Sequence, residues 1–179
     1  MICAPAVNKY LAPNLTLNKP NKGCSQLITE NAVATEEVLI QAPVETVWQI
    51  LVDFDNYGLW NAFCPQIKAE LTMGSPVEMM TDLGNGLQEQ VEYITEITPN
   101  KSIAWSMKNE PGDPVHACRT QRLNKVDEHS CTYFTIDEFS GEFMPAMLEN
   151  FGTHIEAGFN RCAQGLKQFA EQQYSAQKA

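Results

Sequence analysis

The chain has no long apolar run. Apolar residues make up 44% of its 179 positions, but no stretch approaches the ~20 consecutive apolar residues that a membrane-spanning helix needs. Residues 1–13, MICAPAVNKYLAP, also lack the basic start and the continuous apolar core of a signal peptide. We therefore predict no membrane insertion, and we expect the protein in the cytoplasm with its cysteines reduced.

The chain is also short of basic residues. Its 12 Lys and Arg stand against 22 Asp and Glu, which gives a formal net charge of −10. Binding to a phosphate backbone or to anionic lipid requires a basic surface. We predict no nucleic-acid partner, and we take the acidic surface mainly as a source of solubility.

Motifs for metals and cofactors are missing as well. The six cysteines form no C-x-x-C pair, and His116 with Cys118 lies at the opposite end of a predicted hairpin from His129 with Cys131. Residues 84–86, Gly-Asn-Gly, are too short for a phosphate loop and precede no helix. No G-x-S-x-G motif is found either. We predict no metal and no cofactor.

The patterns that are present divide the chain in two. Residues 1–32 contain three prolines and five asparagines that interrupt every periodic pattern, so we predict an irregular N-terminal arm. Whether the arm docks on the body, docks on a partner chain as part of a homodimer, or stays disordered is left open. Residues 33–175 are predicted to form the folded domain.

That domain begins with a strand, followed by a broken helix. Pro43 suits a first helical position, and the apolar residues Val44, Val47, Trp48 and Leu51 then share one helix face. The helix is predicted to stop near Asp53 and to be followed by a second short helical segment. After Pro65 the apolar period changes to two, which predicts six consecutive antiparallel strands.

A long amphipathic helix is predicted to end the domain. From residue 144 to about 174, apolar residues recur every three or four positions, which is the spacing of one helix face. Such a helix is long enough to lie across a curved sheet and to leave a cavity between the two layers. The face contains Met144, Leu148, Phe151, Ile155, Phe159, Cys162, Leu166 and Phe169.

This order of elements resembles the START-like superfamily, which includes the polyketide cyclases and dehydratases and the birch-pollen-allergen-like proteins. Residues 38–63, VLIQAPVETVWQILVDFDNYGLWNAF, resemble its opening motif, with Ala62 where proline is usual, and FSGEFMPAML resembles its late motif. The resemblance implies an α+β helix-grip fold. In that fold a curved antiparallel seven-stranded sheet wraps a long C-terminal helix, and two short helices follow strand 1.

We predict that the interior of the last hairpin contains the chemistry. With an even-length turn at residues 127–130, its inward face would hold Cys118, Thr120, Arg122, Tyr133, Thr135, Asp137 and Phe139. Asp137, Arg122 and His116 are the candidate catalytic residues, because a carboxylate in an apolar cavity has a raised pKa and can transfer protons. The candidate ligand-binding residues are Trp60, Phe63, Met79, Tyr93, Trp105, Thr120, Tyr133, Thr135, Met147, Phe151 and His154.

Two functions fit these residues. The first is binding of a small hydrophobic ligand, such as a lipid, an isoprenoid or an aromatic polyketide, in the internal cavity. The second is an enzyme of the polyketide cyclase or dehydratase type, which would use polar cavity residues for proton transfer. An Asp137 that only satisfies hydrogen bonds within the sheet is a third, purely structural interpretation.

Overall fold

The computed structural model of the protein describes residues 27–84 and 86–178. Most of the predicted arm, residues 1–26, lies outside them. The strands are β1 (Ala32–Ala34), β2 (Val38–Ile40), β3 (Gln66–Ala69), β4 (Pro76–Asp82), β5 (Leu87–Thr98), β6 (Ser102–Ser106), β7 (His116–Lys125) and β8 (Cys131–Ser140). The helices are α1 (Val44–Leu51), a 3₁₀ helix (Phe54–Leu59) and α2 (Met144–Ala176).

The strands form one antiparallel sheet in the order β1-β8-β7-β6-β5-β4-β3. β2 also pairs with β8, beyond the end of β1, so the predicted first strand is present in two pieces at one edge of the sheet. The break falls at residues 35–37, where Thr35 still exchanges hydrogen bonds with Thr135 of β8. With α2 packed on this sheet, the architecture confirms the predicted helix-grip fold.

The predicted break after the first helix is confirmed. α1 buries Val44, Val47, Trp48 and Leu51, which are the predicted apolar positions. The 3₁₀ helix then buries Phe54 and Tyr57, and the ring of Tyr57 packs edge-on against Trp60 with 4.5 Å between ring centroids. Two short helical pieces therefore close one end of the space between sheet and α2.

α2 covers the sheet with one face. Ile155, Phe159, Cys162 and Leu166 are buried along it, at the spacing of the predicted apolar face. The chain enters α2 through Gly141, whose φ of 107° is accessible mainly to glycine. A Cβ at this position would also lie 2.6 Å from the carbonyl oxygen of Pro114. Within the described ranges, no helix is long and apolar enough to cross a membrane.

Candidate functional site

A cavity of about 230 Å³ lies between the inner face of the sheet and α2. Strands β4 to β8 provide one wall, and α2 provides the other. The walls are mostly apolar, with a few polar side chains among aromatic rings and methionines, as is typical of ligand sites. The lining residues are Phe63, Met79, Thr81, Leu83, Gln90, Glu92, Trp105, Met107, Val115, Ala117, Arg119, Asp137, Phe139, Met147, Ile155 and Phe159.

The turn after the 3₁₀ helix delivers Phe63 into this cavity. The Asn61 side chain is fully buried, and its Oδ1 accepts hydrogen bonds from the backbone N–H groups of Phe63 and Cys64 at 3.1 and 3.0 Å. The Phe63 ring then meets the Phe159 ring of α2 nearly at right angles, with 5.4 Å between centroids. The Trp-Asn-x-Phe part of the opening motif thus has a structural purpose, since it fixes one aromatic wall.

Arg119 is the cation of the site. It is only 4% exposed, and its guanidinium carbon lies 4.2 Å from the centre of the Phe159 ring, with the Trp105 ring at 5.8 Å. Its Nε donates to Thr135 Oγ1 at 3.2 Å, and Nη2 donates to Cys162 Sγ at 3.7 Å. Within the described part of the chain it forms no salt bridge. Arg119 is therefore a buried guanidinium held by aromatic rings and neutral acceptors.

Two carboxyl groups face the same cavity. Asp137 is the cross-strand neighbour of Arg119, and Glu92 lies on β5. Burial raises the pKa of Glu92 to about 8, with a further rise from Asp137 and an opposing effect of Arg119. Burial likewise raises the pKa of Asp137 to about 7, against the lowering effect of Arg119. Both carboxyls therefore change protonation near neutral pH.

Five of the predicted site residues line the cavity, namely Phe63, Met79, Trp105, Asp137 and Met147. Two others lie deeper in the core and support it. Thr135 binds the Arg119 side chain, and the Tyr133 hydroxyl donates to Gln121 Oε1 at 2.7 Å. Phe151 is half-buried against the core, while His154 is exposed on α2 with its ring against Gly84.

The predicted inward face of β7 is wrong by one residue. β7 ends at Lys125 and β8 begins at Cys131, so the connection holds residues 126–130 rather than the four predicted turn residues. One extra residue moves every β7 side chain to the other face of the sheet. Arg119 therefore points inward beside Asp137, and Arg122, the predicted catalytic cation, is exposed on the outer face.

Three more predicted site residues accompany Arg122 outside the cavity. His116 and Thr120 alternate with the inward residues of β7, and His116 Nε2 is hydrogen-bonded to the Glu110 carbonyl at 3.0 Å. Tyr93 pairs with Ser106 on the outer face, with the Lys108 ammonium 6.0 Å from its ring centre. None of these side chains contributes to the cavity lining.

Trp60 lines a different space. A surface groove of about 550 Å³ lies between α1, the 3₁₀ helix and the C-terminal part of α2. Its residues include Ile50, Leu59 and Phe169, and Leu59 is 67% exposed. The groove is larger than the cavity, but its lining contains no cation, and its two acids, Glu45 and Asp53, are exposed. The chemistry-bearing residues converge in the cavity instead.

Residues 41–171 match the family described as "Activator of Hsp90 ATPase homolog 1-like protein". The chain belongs to this family. No curated protein matches the sequence.

Solved structures with the fold of this family include aromatase/cyclases. The Zhui aromatase/cyclase from Streptomyces sp. R1128 superposes with a TM-score of 0.64 at 17% identity, over 79% of this chain and 94% of that one. The di-domain aromatase/cyclase BexL from the BE-7585A biosynthetic pathway superposes with a TM-score of 0.60 at 9% identity, over 75% of this chain and 46% of that one. Protein NE0264 from Nitrosomonas europaea superposes with a TM-score of 0.63 at 15% identity, over 83% of this chain and 99% of that one. These likenesses establish the fold. Together with the family match over residues 41–171, the fold confirms the resemblance to the START-like superfamily.

Sequence reasoning missed two central residues of this family member, Arg119 and Glu92. The predicted inward face of β7, with Cys118, Thr120 and Arg122, leaves Arg119 on the outer face, where charged residues usually lie. Glu92 is not predicted as a site residue because the alternation in residues 87–94, LQEQVEYI, places Val91 and Tyr93 on one apolar face. In the structure the assignment is reversed: Val91 is 44% exposed, while Gln90 and Glu92 face the cavity. On β5, the polar side chains of the alternating pattern are the ones that face inward. They form the polar part of the site.

Proposed function

We propose that the protein binds a small, largely apolar ring compound in the cavity between the sheet and α2. The observation that carries this proposal is the cavity, with the rings of Phe63, Trp105 and Phe159 around it. Membership of the family and the aromatase/cyclase fold neighbours support it.

The volume restricts the ligand. An engineered cavity of ~150 Å³ in another protein holds benzene, so 230 Å³ accommodates about one to two rings. Among the expected ligand classes, a short isoprenoid or a small aromatic compound fits this space. A long acyl chain or a polyketide of many rings does not fit without a rearrangement of the walls.

Filling the cavity tests this proposal. Ala117 is buried in its lining, so Ala117→Phe would place a ring where the ligand binds. We expect binding of naphthalene compounds, followed by quenching of tryptophan fluorescence, to weaken at least about tenfold, which is about 1.4 kcal/mol. Val91→Phe on the outer face is the matched control and should bind as the wild type does. Circular dichroism must first show that both variants fold, and equal affinities of wild type and Ala117→Phe would contradict the proposal.

A second candidate function is catalysis of the polyketide cyclase or dehydratase type in the same cavity. The carboxyls of Asp137 and Glu92, with pKa values raised to about 7 and about 8 beside Arg119, favour it, because general acids and bases work best near the pH of the reaction. His116 and Arg122, on the outer face, have no part in it.

In that reaction, ionised Asp137 would take a proton from the carbon next to a carbonyl group. Arg119 would stabilise the oxygen of the resulting enolate, and protonated Glu92 would give its proton to the departing hydroxyl, which leaves as water. Proton exchange with solvent restores both carboxyls. We expect Asp137→Asn to abolish dehydration of a cyclic β-hydroxyketone, measured by enone absorbance, with ligand affinity nearly unchanged. Dehydration at the wild-type rate would exclude this role.

The expected cytoplasmic location and homodimer belong to the same proposal. The irregular pattern of residues 1–32 is the feature that suggests the dimer. Cell fractionation tests the location. Size-exclusion chromatography of the full chain and of a chain lacking residues 1–32 tests the dimer, and an unchanged dimer after truncation would exclude the arm as its interface.

A further inference from the structure

We propose that the ligand is a neutral aromatic compound with a hydroxyl group, which it presents as a hydrogen-bond donor to the carboxyl groups of Glu92 and Asp137. This inference rests on the proposed binding function and names the chemistry of the ligand. It concerns the polar half of the cavity wall, where both carboxyls and Thr81 lie.

The unused hydrogen-bonding capacity of the cavity lies on oxygen atoms. Among the described cavity residues, the buried polar atoms that lack a hydrogen-bond partner are Thr81 Oγ1, Glu92 Oε2 and Asp137 Oδ1. Thr81 is only 5% exposed, so its hydroxyl has no access to bulk solvent. A buried polar group without a partner costs free energy, and a bound molecule that supplies the partner recovers it. An ionised carboxyl accepts hydrogen bonds only, and a protonated one keeps an accepting carbonyl oxygen, so a hydroxyl that donates satisfies either form.

Arg119 is anchored in the wall by two hydrogen bonds and by an aromatic ring. Nε is used by Thr135 and Nη2 by Cys162, and the guanidinium packs on the Phe159 ring. A ligand carboxylate that approached Nε and Nη2 side-on would have to displace these contacts. Where they are ionised, the Glu92 and Asp137 carboxyls in the same lining would also repel such an anion. Side-on capture of an anion through Nε and Nη2 is therefore disfavoured, and the test below includes an anion for the other N–H groups of Arg119.

The mixture of charges also disfavours a cationic ligand. An ammonium group placed between Glu92 and Asp137 would lie beside the guanidinium of Arg119, which is the cross-strand neighbour of Asp137. Since Arg119 stays charged at all accessible pH values, the repulsion is permanent. A neutral donor avoids both repulsions. The aromatic rings of Phe63, Trp105 and Phe159 supply the contacts for the rest of the ligand.

Three naphthalenes of similar size test this inference. Naphthol has a donor, fluoronaphthalene has nearly the same shape without one, and naphthoate is an anion. With the wild-type protein at about pH 7, we expect naphthol to bind at least about tenfold more tightly than fluoronaphthalene, because only its hydroxyl supplies the hydrogen-bond partner that the buried oxygens lack. Naphthoate should bind most weakly.

A variant then locates the donor's partner. Glu92→Met keeps the length of the side chain and removes both oxygens, and we expect it to reduce the preference for naphthol over fluoronaphthalene at least about threefold. Glu89→Met, exposed on the same strand, is the matched control and should keep the wild-type preference. If Glu92→Met does not fold, the affinities of the wild-type protein for the three naphthalenes decide whether the ligand donates a hydrogen bond.

The outcomes separate the two proposals. Equal affinities for naphthol and fluoronaphthalene would overturn the hydroxyl ligand while leaving the binding function intact. Tightest binding of naphthoate would overturn it in favour of an anion site at Arg119. Failure of all three naphthalenes to bind would overturn the binding function itself.

Discussion

Replacement of Glu92 by glutamine should change how the stability of the protein depends on pH. Burial raises the pKa of this carboxyl from an ordinary value of 4.5 to about 8, with a contribution from Asp137. The folded protein therefore holds a proton that the unfolded chain has released between about pH 5 and about pH 8. Because the folded pKa is the higher one, the associated stability is fully present below the unfolded pKa and is lost as the pH rises through the folded pKa.

The size of the effect follows from the same numbers. Each proton held only by the folded state lowers the free energy of unfolding by about 1.4 kcal/mol for each unit of rising pH. Over the whole rise from 4.5 to about 8, the contribution of Glu92 is at most about 5 kcal/mol. That is a large share of the ~5–15 kcal/mol that stabilise a typical protein.

Urea unfolding followed by circular dichroism measures this effect. We expect the wild type to lose stability from about pH 5 to about pH 8 and Glu92→Gln to show a clearly shallower decrease, so that the variant is the more stable protein at about pH 9. Glu89→Gln, exposed on the same strand, should follow the wild type. Parallel profiles of wild type and Glu92→Gln would refute the assignment of a protonated Glu92 in the folded state.

Two further predictions concern packing and hydrogen bonding. Gly165→Ala would place a Cβ 2.0 Å from the carbonyl oxygen of Trp60, whereas Gly152→Ala meets its nearest atom at 3.7 Å. We expect Gly152→Ala to raise the stability of the protein by up to about 1 kcal/mol and Gly165→Ala to lower it. Thermal unfolding measures both effects, and the reverse order of the two variants would contradict the close approach of Trp60 to α2. Tyr133→Phe removes the donor to Gln121 and should cost about 1–3 kcal/mol. Tyr93→Phe on the outer face should change stability by less than about 0.5 kcal/mol, and equal effects of the two tyrosine changes would argue against the buried bond.

Much of the fold was predictable because its signals are local. The stripe of α1 with Trp48, the interruption before Tyr57 and the long stripe of α2 each depend on residues within a few turns of one another. The hydrophobic pattern alone therefore placed them. Asn61 belongs to the opening motif, and the structure shows the two hydrogen bonds by which it shapes the chain at this point.

The site was less predictable because it depends on register. One additional residue in the loop at 126–130 exchanges the faces of β7. The hydrophobic pattern of the strands does not reveal the length of this loop. The site also contradicts the usual pattern, since Arg119 and Glu92 are charged residues on an inward face. Asp137 is predicted correctly because it shares one face of β8 with Tyr133, Thr135 and Phe139. On this strand the predicted inward face is the one observed.

The most direct test of the central claim is a crystal structure of the protein with naphthol bound. The account predicts the naphthalene rings between Phe63, Trp105 and Phe159, with the hydroxyl within hydrogen-bond distance of Glu92 or Asp137. Naphthol in the surface groove beside Trp60 and Phe169, with the cavity under α2 unchanged, would contradict it.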